Sequence, residues 1–259
     1  MAITHLEYAL LRRLKEGKLL PANPSILELG QSNWYGDVDI ESFYEDISRF
    51  VFPSSEAERL INYAKSLVTE QPKNFLFDLA GIFWRTFLGS HSYKAIDLDG
   101  VDDCVYKLDL NEPTNLDQQF DVVCNFGTAE HVFNVYQVFK TIHDLTKPGG
   151  WMLHGLPFQG WIDHGFFNFQ PTLFFDLAET NGYVPSIMFY AELSPPRIIS
   201  VNNRAKVHEL AEKGDIGKNA MLFVALRKRS GKNPFRAPIQ GYYARKLDEE
   251  AARRWMSLR

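Results

Sequence analysis

Short apolar runs alternate along the chain with longer segments in which apolar residues recur every three or four positions. The runs predict buried β-strands, and the repeats predict amphipathic helices. Since the two alternate and most of the strands are continuously apolar, we expect a parallel sheet with helices on both faces. The strands that this pattern predicts are Ser25–Gly30, His91–Leu98, Cys104–Leu108, Phe120–Phe126, Gly150–Leu156 and Met221–Leu226.

A long segment between the first and second strands is the main irregularity of the pattern. Helical repeats occupy Ile40–Phe50, Ser55–Thr69 and Asn74–Leu88 within it. The last repeat fits the helix that crosses between two parallel strands, which leaves residues 31–73 as a helical insertion. Ligands of open α/β sheets bind beyond the carboxyl ends of the strands, so this insertion is a candidate lid.

Composition and charge narrow the classes of partner. The 259 residues are 45% hydrophobic and 23% charged, with a net charge of −4. These values fit one globular domain over residues 1–259, with a helical tail at 240–259 and no nucleic-acid partner. There are too few cysteines for a disulfide framework, no apolar run fit to span a bilayer, and no signal peptide. We expect a cytoplasmic protein with a small-molecule partner and no membrane partner; the oligomeric state stays open, a homodimer included.

Glycine and polar residues follow the ends of four predicted strands. Gly30 ends the first strand, Asp97 the second and Asp109 the third, and Asn125 lies near the end of the fourth. A glycine there lets the backbone approach a ligand, and a carboxylate after the second strand can accept hydrogen bonds from both ribose hydroxyls. Asp109 suits the exocyclic amine of an adenine. The alternatives are an ordinary turn glycine and solvated loop acids.

Five motifs, in order, resemble those of the class I methyltransferases that use S-adenosylmethionine. They are ILELG (26–30), AIDLDG (95–100), DLNEP (109–113), FDVVCNFGTAEHV (120–132) and LTKPGGWMLHGLP (145–157). The resemblance covers roughly residues 24–190. The expected fold class is α/β: a doubly wound, mostly parallel seven-stranded sheet with helices on both faces and a helical lid inserted after the first strand.

The resemblance implies S-adenosylmethionine as the cofactor and assigns residues to its parts. Glu28 and Gly30 would flank the methionine part, Asp97 would bind the ribose, and Asn125 would line the pocket. The full set of implied cofactor contacts is Glu28, Gly30, Asp97, Leu98, Asp109, Leu110 and Asn125. The chain departs from the family in its first loop, where Gln31 follows Gly30 in place of further glycines.

Three histidines, His131, His154 and His164, are the predicted catalytic residues. A neutral imidazole can take a proton from a hydroxyl or amine acceptor, since its ordinary pKa is near neutrality. Each can instead be structural. A metal site that adds Glu130 and Asp163 is disfavoured because no pair has compact ligand spacing, so no metal is expected.

Several aromatic residues have two interpretations each. Phe166 and Phe167 can wall a substrate pocket or pack under their loop. Trp34 and Tyr35, which follow the first strand, can close on a ligand or pack locally.

The function expected is methyl transfer from S-adenosylmethionine to an oxygen, nitrogen or carbon atom of a small metabolite or sugar-like molecule. One alternative is a methyltransferase fold that has lost catalysis and serves as a binding module. A nicotinamide-dependent oxidoreductase is less favoured because no G-x-G-x-x-G follows the first strand.

Overall fold

The computed structural model describes residues 2–89, 92–231 and 233–257. Its helices and strands form two compact units, which are described separately. The first comprises Met1–Asp109 and Phe120–Thr128, and the second comprises Leu110–Gln119 and Ala129–Arg259. The single domain over residues 1–259 stays a prediction.

The first unit contains a parallel sheet with the strand order β5-β4-β2-β6. Leu29 at the end of β2 lies opposite Ile96 in β4 and Asn125 in β6, so these strands end at one edge. A separate parallel pair joins β1 to β3. The elements are β1 (Ala2–Ile3), α1 (His5–Glu16), β2 (Ser25–Leu29), β3 (Asn33–Trp34), α2 (Ile40–Phe50), α3 (Ser54–Glu70), α4 (Phe75–Leu88), β4 (Ser92–Asp97), β5 (Val105–Lys107) and β6 (Phe120–Phe126).

The inserted helices form where their periodicity predicts them, and aromatic packing fixes α2 in the first unit. Trp34 is 3% exposed and stacks on Phe43 of α2, with 4.8 Å between the ring centroids. Tyr8 of α1 and Phe87 of α4 join the same cluster. Trp34 therefore packs locally. Tyr35, which is 65% exposed, lies outside this core.

The second unit contains an antiparallel sheet with the strand order β7-β10-β8-β9. Its elements are a 3₁₀ turn (Ala129–His131), α5 (Val135–Leu145), β7 (Thr146–Gln159), α6 (Pro171–Asn181), β8 (Val184–Leu193), β9 (Pro196–Ser200), α7 (Arg204–Glu212), β10 (Ala220–Arg227) and α8 (Glu249–Ser257). Of these, β8, β9 and α7 are absent from the sequence prediction.

The α/β class is confirmed, but the expected seven-stranded sheet needs correction. Among the described residues, four strands pair in parallel in the first unit and four pair antiparallel in the second. The two strands of this set that the sequence pattern did not predict are β8 and β9, which pair antiparallel across a short turn. Antiparallel neighbours can be joined by a tight turn, whereas parallel neighbours need a crossover that is usually a helix. The sequence therefore has no helical segment between β8 and β9 that would mark them as two strands.

Local hydrogen bonds shift several predicted boundaries. Strand β7 begins at Thr146, before the predicted start at Gly150, and its first residues are held by two hydrogen bonds: Gly149 N donates to the Lys228 carbonyl and Lys228 N to the Gly150 carbonyl, both at 2.9 Å. α5 begins at Val135 because the Asn134 side chain caps it. The predicted start of the second strand, His91, lies outside the described residues. In the part of the chain that the structure describes, no helix is both long and apolar enough to cross a membrane.

Candidate active site

Glu28, one residue before the end of β2, organises the loop that follows this strand. Its side chain is fully buried and accepts hydrogen bonds from the Ser32 hydroxyl at 2.6 Å, from Ser32 N at 3.2 Å and from the Tyr93 hydroxyl. Burial raises the pKa of Glu28, and the three hydrogen bonds oppose that rise because they favour the charged form. The carboxylate therefore fixes the backbone between Gly30 and Ser32.

Gly30 and Gln31 connect this loop to the end of β4. Gly30 has φ +75°, the left-handed region that favours glycine. Gln31 N donates to the Asp97 carboxylate at 2.8 Å, and the Gln31 side chain bonds Asp102 and the Val101 amide. Sequence reasoning missed Gln31, whose only signal was that it stands where the family has another glycine.

Asp97 remains able to accept hydrogen bonds from a ligand. One of its oxygens accepts from Gln31 N, and the other accepts from Asp99 N at 3.1 Å. A carboxylate offers about four acceptor sites, so about two remain for a ribose diol. Leu98, 66% exposed, adds an apolar surface directly after Asp97.

The remaining predicted cofactor residues differ in exposure. Asn125 is fully buried in β6, whereas Asp109 is exposed. Leu110, the first residue of the second unit, is 6% exposed. Thr128, which is not among the implied cofactor contacts, donates its hydroxyl to the Leu29 carbonyl and so ties the loop after β6 to the end of β2.

The inserted helix α3 contributes to a cavity of about 380 Å³ in the first unit. Tyr63 of α3 lines it together with Gln31 and Ser32 of the first loop. Trp84 also lines it, and its indole N–H is buried without a hydrogen-bond partner in the described part of the chain. An unpaired donor of this kind is available to a ligand carbonyl or carboxylate.

The structure brings two of the three predicted histidines together. His131 and His164, both exposed, lie 5.0 Å apart between ring centroids at an interplanar angle of 64°. Partial burial, followed by the neighbouring His164, lowers the pKa of His131. Glu130, beside His131 in the 3₁₀ turn, is 1% exposed.

His154 occupies a different environment in the core of the second unit. It is 1% exposed and packs between Phe139 and Phe174, at centroid distances of 5.6 Å and 5.2 Å. Burial lowers the pKa of His154 to about 3, because an apolar surrounding penalises the imidazolium. The ring is therefore neutral at physiological pH.

An aromatic wall, formed by Phe133, Phe166 and Phe167, belongs to the same unit as the paired histidines. Phe133 is 75% exposed and lies 6.2 Å from Phe166 and 6.4 Å from Phe167 between ring centroids. Phe166 is 66% exposed. Phe133 and Phe166 therefore leave apolar area in contact with water, whereas Phe167 is half-buried and lies 6.3 Å from the buried Phe169 between ring centroids.

Comparison with known proteins gives the family. The model of a family described as "Methyltransferase domain" matches residues 62–198, more than half of the chain. The match includes Asp97, Asn125 and the three histidines and begins within α3, after the Gly30 loop. No curated protein matches the sequence.

Several solved structures of methyltransferases are similar to this chain. The 1,6-didemethyltoxoflavin-N1-methyltransferase of Burkholderia thailandensis is 12% identical, with 85% of this chain and 77% of that chain covered and a TM-score of 0.45. The N-methyltransferase NodS of Bradyrhizobium japonicum WM9 is 11% identical, with coverages of 87% and 96% and a TM-score of 0.45. An S-adenosylmethionine-dependent methyltransferase of Mesorhizobium loti is 15% identical, with coverages of 86% and 97% and a TM-score of 0.42. These identities and TM-scores are too low to assign a family, so the assignment rests on the family-model match to residues 62–198.

The chain belongs to the methyltransferase domain family. It is a class I methyltransferase, an enzyme that uses S-adenosylmethionine as its methyl donor.

Proposed function

We propose that this enzyme transfers the methyl group of S-adenosylmethionine to an oxygen, nitrogen or carbon nucleophile of a small, partly apolar molecule. The observation that best supports S-adenosylmethionine binding is the hydrogen bonding of Asp97. Its carboxylate is held by two backbone amides at the end of β4 and keeps acceptor sites for a ribose.

The proposed donor site lies at the strand ends of the first unit. Asp97 binds the ribose hydroxyls, and Leu98 covers one face of the adenine. Glu28 acts through Ser32, holding the loop whose Gly30 backbone borders the methionine part. Asp109, Leu110 and Asn125 keep their predicted roles beside the adenine and in the pocket lining.

The proposed acceptor side uses the exposed histidines and the aromatic wall of the second unit. Methyl transfer is a direct displacement: the nucleophile forms a bond to the methyl carbon while the carbon–sulfur bond breaks, leaving S-adenosylhomocysteine. A hydroxyl or amine nucleophile also loses a proton, and we assign its uptake to His164 or His131. His154 is the third candidate for proton uptake. Because burial lowers its pKa, it is a weaker base than an exposed histidine. The wall formed by Phe133, Phe166 and Phe167 favours an acceptor with an apolar or aromatic face.

The insertion at residues 31–73 is proposed as a lid. Its helix α3 lines the 380 Å³ cavity beside Gln31 and Ser32, whereas α2 is anchored in the aromatic cluster. Closure would therefore involve α3 more than α2.

Calorimetric titrations with S-adenosylhomocysteine and with NAD, run in parallel, test the donor assignment. We expect micromolar or tighter binding of S-adenosylhomocysteine and none of NAD, since the first loop has no glycine-rich cradle for a pyrophosphate. Binding of neither would favour the binding-module alternative, and binding of NAD alone would favour the oxidoreductase. If S-adenosylhomocysteine binds, methyl transfer to a panel of phenol, amine and sugar acceptors then separates an active enzyme from a binding module.

A further inference from the structure

We infer that Glu130, His131 and His164 form a binding site for a divalent transition-metal cation of the zinc type. One ligand atom from each residue lies within 4.8 Å of the other two. Two imidazoles and one carboxylate, with a fourth position left open, form a known zinc ligand set. This inference goes beyond the proposed methyl transfer and contradicts the expectation, drawn from ligand spacing, that the chain has no metal site.

The fold brings the third ligand to the other two through a specific backbone contact. Glu130 and His131 are adjacent in the 3₁₀ turn, and His164 arrives from the loop between β7 and α6. Phe166 N donates to the Glu130 carbonyl at 2.7 Å, and a Cβ atom on Gly165 would lie 2.9 Å from that oxygen. A residue without a side chain at position 165 therefore lets the loop press against Glu130.

The loop that carries His164 is fixed along its length. Trp161 N donates to the Asn219 side chain and the Trp161 indole to the Ala220 carbonyl, both at 3.1 Å. His164 N donates back to the Trp161 carbonyl at 3.1 Å, which closes a turn. Because the loop is held at both β10 and Glu130, the His164 ring approaches His131 without further ordering of the backbone.

The two imidazoles are available to an ion. Both residues are exposed, and in the described part of the chain neither ring takes part in a hydrogen bond. A tetrahedral zinc site with bonds of about 2.1 Å needs ligand atoms roughly 3.4 Å apart. Small rotations of two exposed side chains cover the difference from 4.8 Å. The buried carboxylate of Glu130 supplies the negative charge.

The ligand chemistry selects among cations. Imidazole nitrogen suits zinc, cobalt and similar ions, whereas Mg²⁺ prefers an all-oxygen, octahedral shell. A cation occupies the lone pairs that proton uptake requires, so at any one time the pair either binds metal or acts as a base. The two roles can be tested separately because metal binding is measured in the absence of the methyl donor and of any methyl acceptor.

Titration of the full chain, free of any affinity tag and stripped with a chelator, tests the site. The probes are Zn²⁺ by calorimetry and Co²⁺ by its visible absorption, with Mg²⁺ for comparison. We expect one Zn²⁺ or Co²⁺ per chain, no binding of Mg²⁺, and at least a tenfold loss of affinity in both H131Q and H164Q. H208Q, which removes a histidine of α7 outside the cluster, should bind as the wild type does.

Absence of stoichiometric Zn²⁺ binding by the wild type, or wild-type affinity for Zn²⁺ in H131Q and H164Q, would overturn the metal site. Equal losses in H208Q would show surface adsorption and overturn it as well. The exposed histidine variants carry the test because E130Q alters a buried residue and can fail to fold. Binding of S-adenosylhomocysteine by the metal-free protein is read independently, so the metal site can fail while the donor assignment stands.

Discussion

At the scale of single residues, Asp97 is the clearest case in which sequence position and observed geometry agree. The sequence places a carboxylate at the end of the second predicted strand, and the structure shows it accepting backbone hydrogen bonds from Gln31 and Asp99. Those two contacts orient the carboxylate without using all of its acceptor capacity. A direct ligand role is therefore open to measurement.

Replacing Asp97 with asparagine should weaken binding of S-adenosylhomocysteine roughly tenfold to a hundredfold. Hydrogen bonds to a charged group contribute about 1.5–3 kcal/mol each, and asparagine removes the charge. Calorimetry measures the affinity, and circular dichroism checks that the variant folds. Asp99→Asn is the matched control, since it removes a neighbouring exposed charge and keeps the Asp99 amide. Unchanged affinity in folded D97N would place the ribose elsewhere.

His154 should make the stability of the protein depend on pH. Its pKa is about 3 in the folded chain and about 6.5 ordinarily, so between these values the unfolded chain binds a proton that the folded chain does not. The part of the folding stability that depends on neutral His154 is therefore present above about pH 6.5 and decreases as the pH falls below that value. At pH 5 the loss from this group is about 2 kcal/mol.

Urea unfolding of the wild type and of H154Q at pH 7 and pH 5 measures this effect. Other groups titrate equally in both proteins, including Glu7, whose pKa burial raises to about 7 and which acts in the opposite direction. The wild type should lose about 2 kcal/mol more than H154Q over this interval. Parallel losses would show that the folded protein protonates His154 as easily as the unfolded chain does.

At the scale of elements, the loop between β7 and α6 depends on one glycine at its start. Gly160 has φ +76°, and a Cβ atom there would lie 1.8 Å from the Lys218 carbonyl oxygen. Gly149 has nearly the same φ, +79°, but a Cβ atom would meet nothing within 4 Å. The two positions therefore separate backbone strain from steric overlap.

Gly149→Ala should lower the free energy of unfolding by about 1–2 kcal/mol, the cost of a left-handed alanine. Gly160→Ala should lower it by about 1–3 kcal/mol more, since the backbone around Lys218 must move. Urea unfolding at pH 7 compares the two. Equal destabilisation would mean that the loop shifts freely, and the fixed placement of His164 would then be wrong.

At the scale of the whole molecule, donor binding should alter hydrogen exchange in a defined pattern. With S-adenosylhomocysteine we expect slower exchange in the loop at residues 30–32 and in residues 97–102, because these segments border the proposed donor site. We also expect slower exchange in α3 if it closes as a lid, and less change in α2. The exposed tail helix α8 is the internal reference. If the exchange rates of residues 30–32 and 97–102 do not change on binding, the donor site is wrong. If those rates fall but the exchange rate of α3 does not change, only the lid is wrong.

The sequence by itself determined the α/β class, the strand ends that carry Gly30, Asp97 and Asn125, and the inserted helices. These features follow from local periodicity and from the rule that ligands bind at the carboxyl ends of parallel strands. The family motifs added the cofactor.

Only the tertiary structure decided the features that depend on contacts between distant segments. The hairpin of β8 and β9 escaped prediction because edge strands take their stability from pairing. Gln31 bonds Asp102 only after β2 and β4 pair, and His164 meets Glu130 and His131 only through the loop after β7. The spacing of Glu130, His131 and His164 along the sequence argued against a metal site because it does not show contacts between distant segments. Ligand spacing along a chain reports sites built on one element, whereas this cluster is assembled by folding from two.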